Sequence, residues 1–360
     1  MKRPDAIWKY DSAGTPAYTD YTDNVKTNAS IAFVDATTQY YYIGLSSRFI
    51  GIYTDLSTNG AYTTIAYEYY DGISWKKLSL IESYIFASSK YQRWVLPEDW
   101  IKYAFTTTVP HAVTPPDTYD LYWIRISASA VTTAAVISKI RCLPFATYST
   151  PSSVSNYLQL KSTFTPSSTP SDLQVSKLIR KAEDIIDYKT RKSWKFNPIV
   201  EETQSILVDY NRYGIYTRHR NFYKVYGVYI WNGGAWETLT EGRTNDYFVN
   251  YDLGMIYMTR MFLLPAAYGM SGRYFHFGYG EYKNSVKVDY AYGRDIETDT
   301  EAYQVNGIVN KIVAAEIYKN SDYNVWITSG ADKLPIAEKV HLLQQEIDDE
   351  IDSLAGLFIT

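Results

Sequence analysis

The most constraining feature of this 360-residue chain is a change of hydrophobic period at Ser171. Ahead of it, apolar and aromatic residues come in runs too short for a helix: Ile31-Ala32-Phe33-Val34, Tyr40-Tyr41-Tyr42-Ile43 and Ile65-Ala66-Tyr67-Glu68-Tyr69-Tyr70. Turn signals separate these runs, among them Asn59-Gly60, Asp71-Gly72 and Pro115-Pro116-Asp117. Past it, Val175, Leu178, Ile179, Ala182, Ile185 and Ile186 follow the i, i+3, i+4, i+7 spacing of one helical face. Ser171 with Gln174 matches a capping box, which satisfies two otherwise orphaned backbone N–H groups. A strand face repeats every second residue and a helix face every 3.6, so a β region must precede a helical one.

Residues 1–146 therefore read as an all-β, jelly-roll-like sandwich with no helix. Tyr70-Asp71-Gly72-Ile73-Ser74-Trp75 is a hairpin signature, with Asp-Gly suited to the turn. The 37 Tyr and 9 Trp agree with much strand, because flat rings pack well on a pleated surface. They also suit contact surfaces, where an apolar body and a polar tip serve together. Thirteen basic and thirteen acidic residues balance in this region, leaving the net charge of −4 to the remainder. Residues 147–171 are rich in Ser, Thr and Pro and read as an interdomain linker, interrupted by Tyr157-Leu158-Gln159-Leu160.

Residues 172–333 read as an α+β domain: a helix ending near Arg191, a β-rich insertion over 200–293, and a second helix. Two further hairpins are expected in the insertion, one at Trp231-Asn232-Gly233-Gly234-Ala235-Trp236 and one at Asp252-Leu253-Gly254. Thr298 with Glu301 predicts the cap of the second helix, whose apolar face is Val305, Ile308, Val309, Ile312 and Val313. A third helix is expected over 334–360 from Pro335, a residue suited to a first helical position. Ile336, Val340, Leu343, Ile347, Ile351 and Leu354 form a heptad-like seam on it, and Leu357 and Phe358 add an apolar finish. With six acidic residues against one Lys, this helix either packs on its own domain or docks on a partner. Its seam is the candidate partner-docking element.

Catalytic chemistry finds no foothold. His111, His219, His276 and His341 are far apart, and the single cysteine, Cys142, excludes a disulfide framework or a Cys-based zinc site. Gly278-Tyr279-Gly280 lacks the third glycine of a dinucleotide fingerprint, and there is no phosphate-binding loop or nucleophile elbow. Glu98-Asp99 beside Trp94 and Trp100 is the nearest approach to a glycosidase-like pair, but a general acid needs a pKa-raising pocket, which sequence does not show. No enzyme, cofactor or metal is expected. The acidic balance, with a pI of about 5.7, argues against a general nucleic-acid binder. Arg180, Lys181, Lys189, Arg191, Lys192 and Lys195 are interleaved with Glu183, Asp184 and Asp187 and read as a solvated helix face. No apolar run approaches the roughly 20 residues of a membrane helix, and no secretory leader or membrane partner is expected.

Residues 156–330, about half the chain, resemble the head–tail connector (adaptor) proteins of tailed phages. The resemblance rests on Tyr157-Leu158-Gln159-Leu160, on the helix over 178–187 and on Thr190-Arg191-Lys192-Ser193-Trp194. It continues through Val225-Tyr226-Gly227-Val228-Tyr229-Ile230, residues 247–257 and Val288-Asp289-Tyr290-Ala291-Tyr292-Gly293, and ends in the helix over 303–319. It implies Leu178, Ile179, Ala182, Ile185, Ile186 and Trp194 as the core of the connector helix. It implies a structural virion protein of the neck, assembled in the host cytoplasm as a ring homo-oligomer that follows the portal's twelvefold symmetry. The portal and a tail completion or stopper protein would be its partners, and DNA would pass through the lumen without sequence-specific binding. In such proteins the C-terminal region engages the portal, which by position assigns 335–358 here.

Residues 60–127 also resemble β-sandwich modules of virion proteins, through Asp71-Gly72-Ile73-Ser74-Trp75, residues 94–100 and Leu121-Tyr122-Trp123-Ile124-Arg125-Ile126. That resemblance implies a decorating domain that contacts capsid or fibres. Two alternatives stand beside the connector reading: a tail or baseplate component, and a glycan-binding module with Trp75, Trp94, Trp100 and Trp123 as stacking platforms.

Overall fold

The computed structural model describes residues 1–82, 84–106, 110–206, 214–219, 222–231, 235–251, 254–258, 282–294, 301–320 and 336–356. The chain is β-rich and divides into two compact units: Met1–Lys192 together with Ile296–Thr360, and Ser193–Asp295. The β-rich stretch between two helices is thus a unit of its own, and the helices on either side of it belong to the same unit as the N-terminal strands.

In the first unit one antiparallel sheet runs in the order Tyr18–Asp20, Ala6–Asp11, Gln39–Leu45, Asp120–Ala128, Ile65–Tyr70, Trp75–Lys77, with Tyr103–Ala104 paired off this path on Asp120–Ala128. A second sheet runs Ile31–Phe33, Ala135–Pro144, Phe49–Thr58, Lys90–Arg93. Ile43, Leu45, Ile124 and Ile126 of the first sheet and Phe49, Ile52, Ile137 and Ile140 of the second share one core. Trp8, Tyr18, Tyr42, Phe105 and Trp123 form a separate cluster. Two cores explain the Tyr-rich run of Gln39–Leu45, which is buried at almost every position. Tyr41 and Ile43 enter the first core, and Tyr42, one residue out of phase, enters the second. Gly44 has no side chain because Trp123 packs where one would stand: a Cβ there would lie 2.7 Å from ring carbon. Cys142 is fully buried in the first core.

The hairpin expected at Tyr70–Trp75 is present, with Tyr70 opposite Trp75. Gly72 takes φ +96°, and the Asp71 carboxylate accepts from the backbone N–H groups of Ile73 and Ser74 at 2.8 and 2.7 Å. Residues 1–146 are not free of helix, however. The six-residue α1 (Thr22–Thr27) ends on Asn28 in the left-handed conformation. The Ser/Thr/Pro-rich segment likewise holds α2 (Pro151–Tyr157), capped by the Thr150 side chain on Ser153 N–H, with Pro151 in its first turn.

Three longer helices follow: α3 (Asp172–Thr190), α4 (Ala302–Lys319) and α5 (Ile336–Gly356). Both halves of the predicted Ser171–Gln174 capping box form, and α3 ends on Arg191 at φ 54°. The start of α4 differs from expectation: its N-cap is Glu301, with no side-chain cap bond, and Thr298 lies outside the described residues. α4 packs against α2, α3 and α5 and is buried on most sides, as a helix without a clear polar face must be. No described helix is long and apolar enough to cross a membrane.

The second unit has an antiparallel sheet in the order Asn197–Ile206, Tyr282–Tyr292, Phe222–Trp231, Trp236–Thr238, and a smaller one of Gly214–Ile215, Met255–Met258 and Tyr247–Asn250. The strands flanking both remaining predicted turns pair in antiparallel register, Trp231 opposite Trp236 and Tyr247 opposite Met258, while the turn residues 232–234 and 252–253 lie outside those described. Val225, Val228, Ile230, Tyr247, Ile256, Val286, Val288 and Tyr290 make the core. Gly293, just past the last strand of this unit, takes φ +103°, where a Cβ would stand 2.0 Å from the Lys195 carbonyl oxygen.

Candidate assembly surfaces

The candidate surfaces lie on the helices, and the N-terminal strands hold those helices in place. Asp172, the first residue of α3, takes a salt bridge from Arg48 at 2.8 Å, with side chains only 13% and 6% exposed. The Tyr122 hydroxyl donates to the same carboxylate at 3.1 Å, and its ring lies 4.7 Å from the Arg48 guanidinium. Arg48 also donates to the Trp100 carbonyl, so the guanidinium is used on several edges. A carboxylate in a first helical turn is favourable in itself, and here it also fastens the helix to the strands. Further along α3, the buried Glu183 accepts from the backbone N–H of Tyr148 at 2.8 Å and of Thr147. Asp187 accepts from the Tyr148 hydroxyl, and Asn306 of α4 donates to the Tyr148 carbonyl at 2.8 Å. Residues 147–148 are thus built into the helical layer.

Of the residues proposed for the connector helix core, Ile179, Ala182 and Ile186 are fully buried and Leu178 and Ile185 partly so. Trp194 is also fully buried, but it falls in the Ser193–Asp295 unit.

The C-terminal seam proves to be largely internal. Ile347, Ile351 and Leu354 are 1–2% exposed, with α5 packed on α3 and α4. These three residues are corrected from a partner-docking surface to part of the chain's own core, since an apolar stripe beside two apolar helices is buried by them first. Val340 and Leu343 are partly buried. The side chain of Ile336 and the residues Leu357 and Phe358 lie outside those described. Lys311 of α4 bonds to Glu350 at 2.8 Å and Glu346 at 3.0 Å. Burial works against its charge, and those two carboxylates outweigh it and hold the ammonium above its usual range. Lys189 of α3 meets Asp348 at 2.6 Å, a bond that lowers the Asp348 pKa.

The basic cluster on α3 is tied to its own chain. Lys177 pairs with Glu98 at 2.8 Å, Lys181 with Glu316 at 3.0 Å, Arg180 approaches Glu183 and Asp184, and Lys192 donates to the Leu354 carbonyl. Glu98 is held below the usual carboxylate range by Lys177, which leaves it an ion-pair partner and not a general acid.

The glycan platform is overturned. Trp94, Trp100 and Trp123 are 0–1% exposed and Trp75 is partly buried. A stacking platform must show a ring face to solvent, and these faces meet Phe49, Tyr122 and Phe105. The Trp75 ring is capped by the Arg125 guanidinium at 4.7 Å. Among the described residues, the large hydrophobic side chains that do reach solvent on the helices are others, Tyr188 at 85% and Tyr303 at 92%, together with Tyr157 and Leu342. A break in amphipathic pattern would have flagged Tyr188, an aromatic residue on the polar side of α3. Among the described residues no group of three or more His, Cys, Asp or Glu is placed to hold a metal.

No family model matches this chain, and a search of the curated proteins finds no match. Among solved structures, a chain from one described as the neck of an empty GTA particle computed with C6 symmetry is similar over 53% of this chain and 87% of its own. It is 12% identical, with a TM-score of 0.30, and a likeness at that level bears on neither the function nor the partners of this chain.

Proposed function

We propose that this chain is a non-catalytic structural protein of a phage-type neck, forming a closed ring that joins portal to tail and leaves a central passage for DNA. The observation that carries the reading is the splice between α3 and α4. Two packed helices of one unit are interrupted by a β unit, Ser193–Asp295, that folds around its own core. That is the helix, β insertion and helix order on which the resemblance to connector proteins rests. A ring also needs two unlike, complementary faces on each subunit. The outward faces of the helical layer differ in the charged side chains they expose, Lys177, Lys181 and Lys189 on α3 and Glu338, Asp349 and Asp352 on α5.

The N-terminal sandwich, fastened to α3 through Arg48 and Asp172, belongs to the body of such a ring subunit and presents its loops to capsid or fibres from a fixed position. Native mass spectrometry of the purified chain, alone and with the portal protein, tests the reading. Twelvefold rings, or a portal-bound complex of that stoichiometry, are the expected result. A monomer that ignores the portal would refute it.

A further inference from the structure

We propose that the outer stripe of α3 on one copy of this chain docks onto the outer stripe of α5 on the next. The inference rests on the ring reading above and says which surfaces close the ring.

The exposed positions of α3 fall at Gln174, Lys177, Lys181, Asp184 and Tyr188, spaced by three, four, three and four residues, which is one straight line along the helix. Lys189 flanks it. On α5 the line of exposed positions facing away from the buried seam is Glu338, Leu342, Gln345, Asp349 and Asp352, spaced by four, three, four and three, with His341, Glu346 and Ser353 exposed on its flanks. This line runs opposite the buried Ile347, Ile351 and Leu354, so it faces away from the helical layer. The two stripes are of equal length, each running about 21 Å along its helix, Gln174 to Tyr188 and Glu338 to Asp352.

Their chemistry is complementary. The α3 stripe carries three lysines and one aspartate around the exposed ring of Tyr188. The α5 stripe carries three carboxylates around the exposed Leu342, with no Lys or Arg on the line itself. Glu338, Asp349 and Asp352 form no ion pair among the described residues, and Asp349 and Asp352, one turn apart, are like charges that a cationic partner would relieve. The α3 lysines already have carboxylate partners in their own chain, but their side chains are 43–60% exposed. Pairs at that exposure contribute about 0–1 kcal/mol and re-partner readily. An aromatic anchor within a charged rim is also the composition of an interface centre. Because α3 and α5 pack on each other inside the layer, their outer lines look in different directions. A heterologous contact that repeats from copy to copy requires that arrangement.

The test uses the full chain and four samples: wild type, Lys177→Glu/Lys181→Glu, Asp349→Lys/Asp352→Lys, and an equimolar mixture of the two variants. Sedimentation velocity and native mass spectrometry read assembly, with the portal protein added where the wild type needs it, and circular dichroism verifies the fold of each variant. The wild type should assemble, less well as salt is raised. Each variant alone should lose assembly by roughly tenfold or more in concentration dependence, because its two stripes now repel. The mixture should recover it, as alternating copies with an even subunit count.

Wild-type rings with both folded variants assembling normally would overturn the stripe proposal and leave the ring reading standing. A wild type that assembles neither alone nor on the portal would overturn both. Duplex DNA bound by wild type and lost only in Lys177→Glu/Lys181→Glu, with assembly unchanged, would assign the α3 stripe to phosphates and overturn the proposal as well.

Discussion

At the scale of single residues, His111 shows how the aromatic outer cluster of the sandwich is closed. Its ring stacks on Tyr10 with centroids 3.5 Å apart, and its Nε2 lies 2.7 Å from the Tyr42 hydroxyl. Tyr18 and Tyr40 complete the surround, and Arg125 is the nearby charge. Burial, with Arg125 adding to it, lowers the His111 pKa from 6.5 to about 4. The unfolded chain therefore takes up this proton at higher pH than the folded one. Stability from this site is complete above about pH 6.5, falls as pH drops toward 4, and falls no further below that. Urea midpoints across this range should show the decline in wild type and a shallower one in His111→Phe.

Arg48 makes the second residue-scale case. Replacing it with Met leaves Asp172 beside Tyr122 with its cation gone, and breaking a buried pair from one side costs about 3 kcal/mol. Urea unfolding of Arg48→Met, Asp172→Asn and the double variant should show strong coupling, with the double variant less damaged than the sum.

Among elements, α4 carries the clearest flaw to exploit. Gly307 sits mid-helix, and a Cβ added there meets nothing within 4 Å. Gly307→Ala should raise stability by about 0.5–1 kcal/mol through the unfolded chain's lost freedom, read as a higher thermal midpoint.

The elements also differ in how plainly the sequence announced them. α3 was legible because Ser171, Gln174 and six apolar residues at helical spacing all agree. The three hairpins were legible from turn residues between Tyr-rich runs. α1 was not, since six residues with Val25 as their only buried apolar side chain are too short to display a period. α2 carried a readable signal in Thr150-Pro151, masked by the Ser/Thr/Pro composition around it. The seam of α5 was read correctly as apolar, yet sequence does not say which neighbour covers a stripe. The tryptophans failed as sugar platforms for a related reason: ring exposure is set by partners such as Phe49 and Phe105, which lie far from them in sequence. Arg48–Asp172, 124 residues apart, left no local trace at all.

For the whole molecule, the two compact units cut across the linear division that composition suggests. The N-terminal strands and the helices share one unit, and the later β-rich stretch makes up the other. A chain lacking residues 1–146 loses Arg48 and Tyr122 from Asp172, and with them the packing against the start of α3. Such a truncation should melt well below the full chain and lose its cooperative transition by circular dichroism. A separable decorating domain would instead leave the melt of the remainder unchanged.

Cys142, the chain's one thiol, is shut inside the sandwich, and burial pushes its pKa far above the usual thiol range. It presents no thiolate to electrophilic dyes, maleimides or oxidants while the protein is folded. The natural sequence is therefore already a silent background for site-specific chemistry. A cysteine introduced on any outer surface becomes the one reactive handle, and energy transfer between fluorophores attached there can report neighbouring copies as they come together.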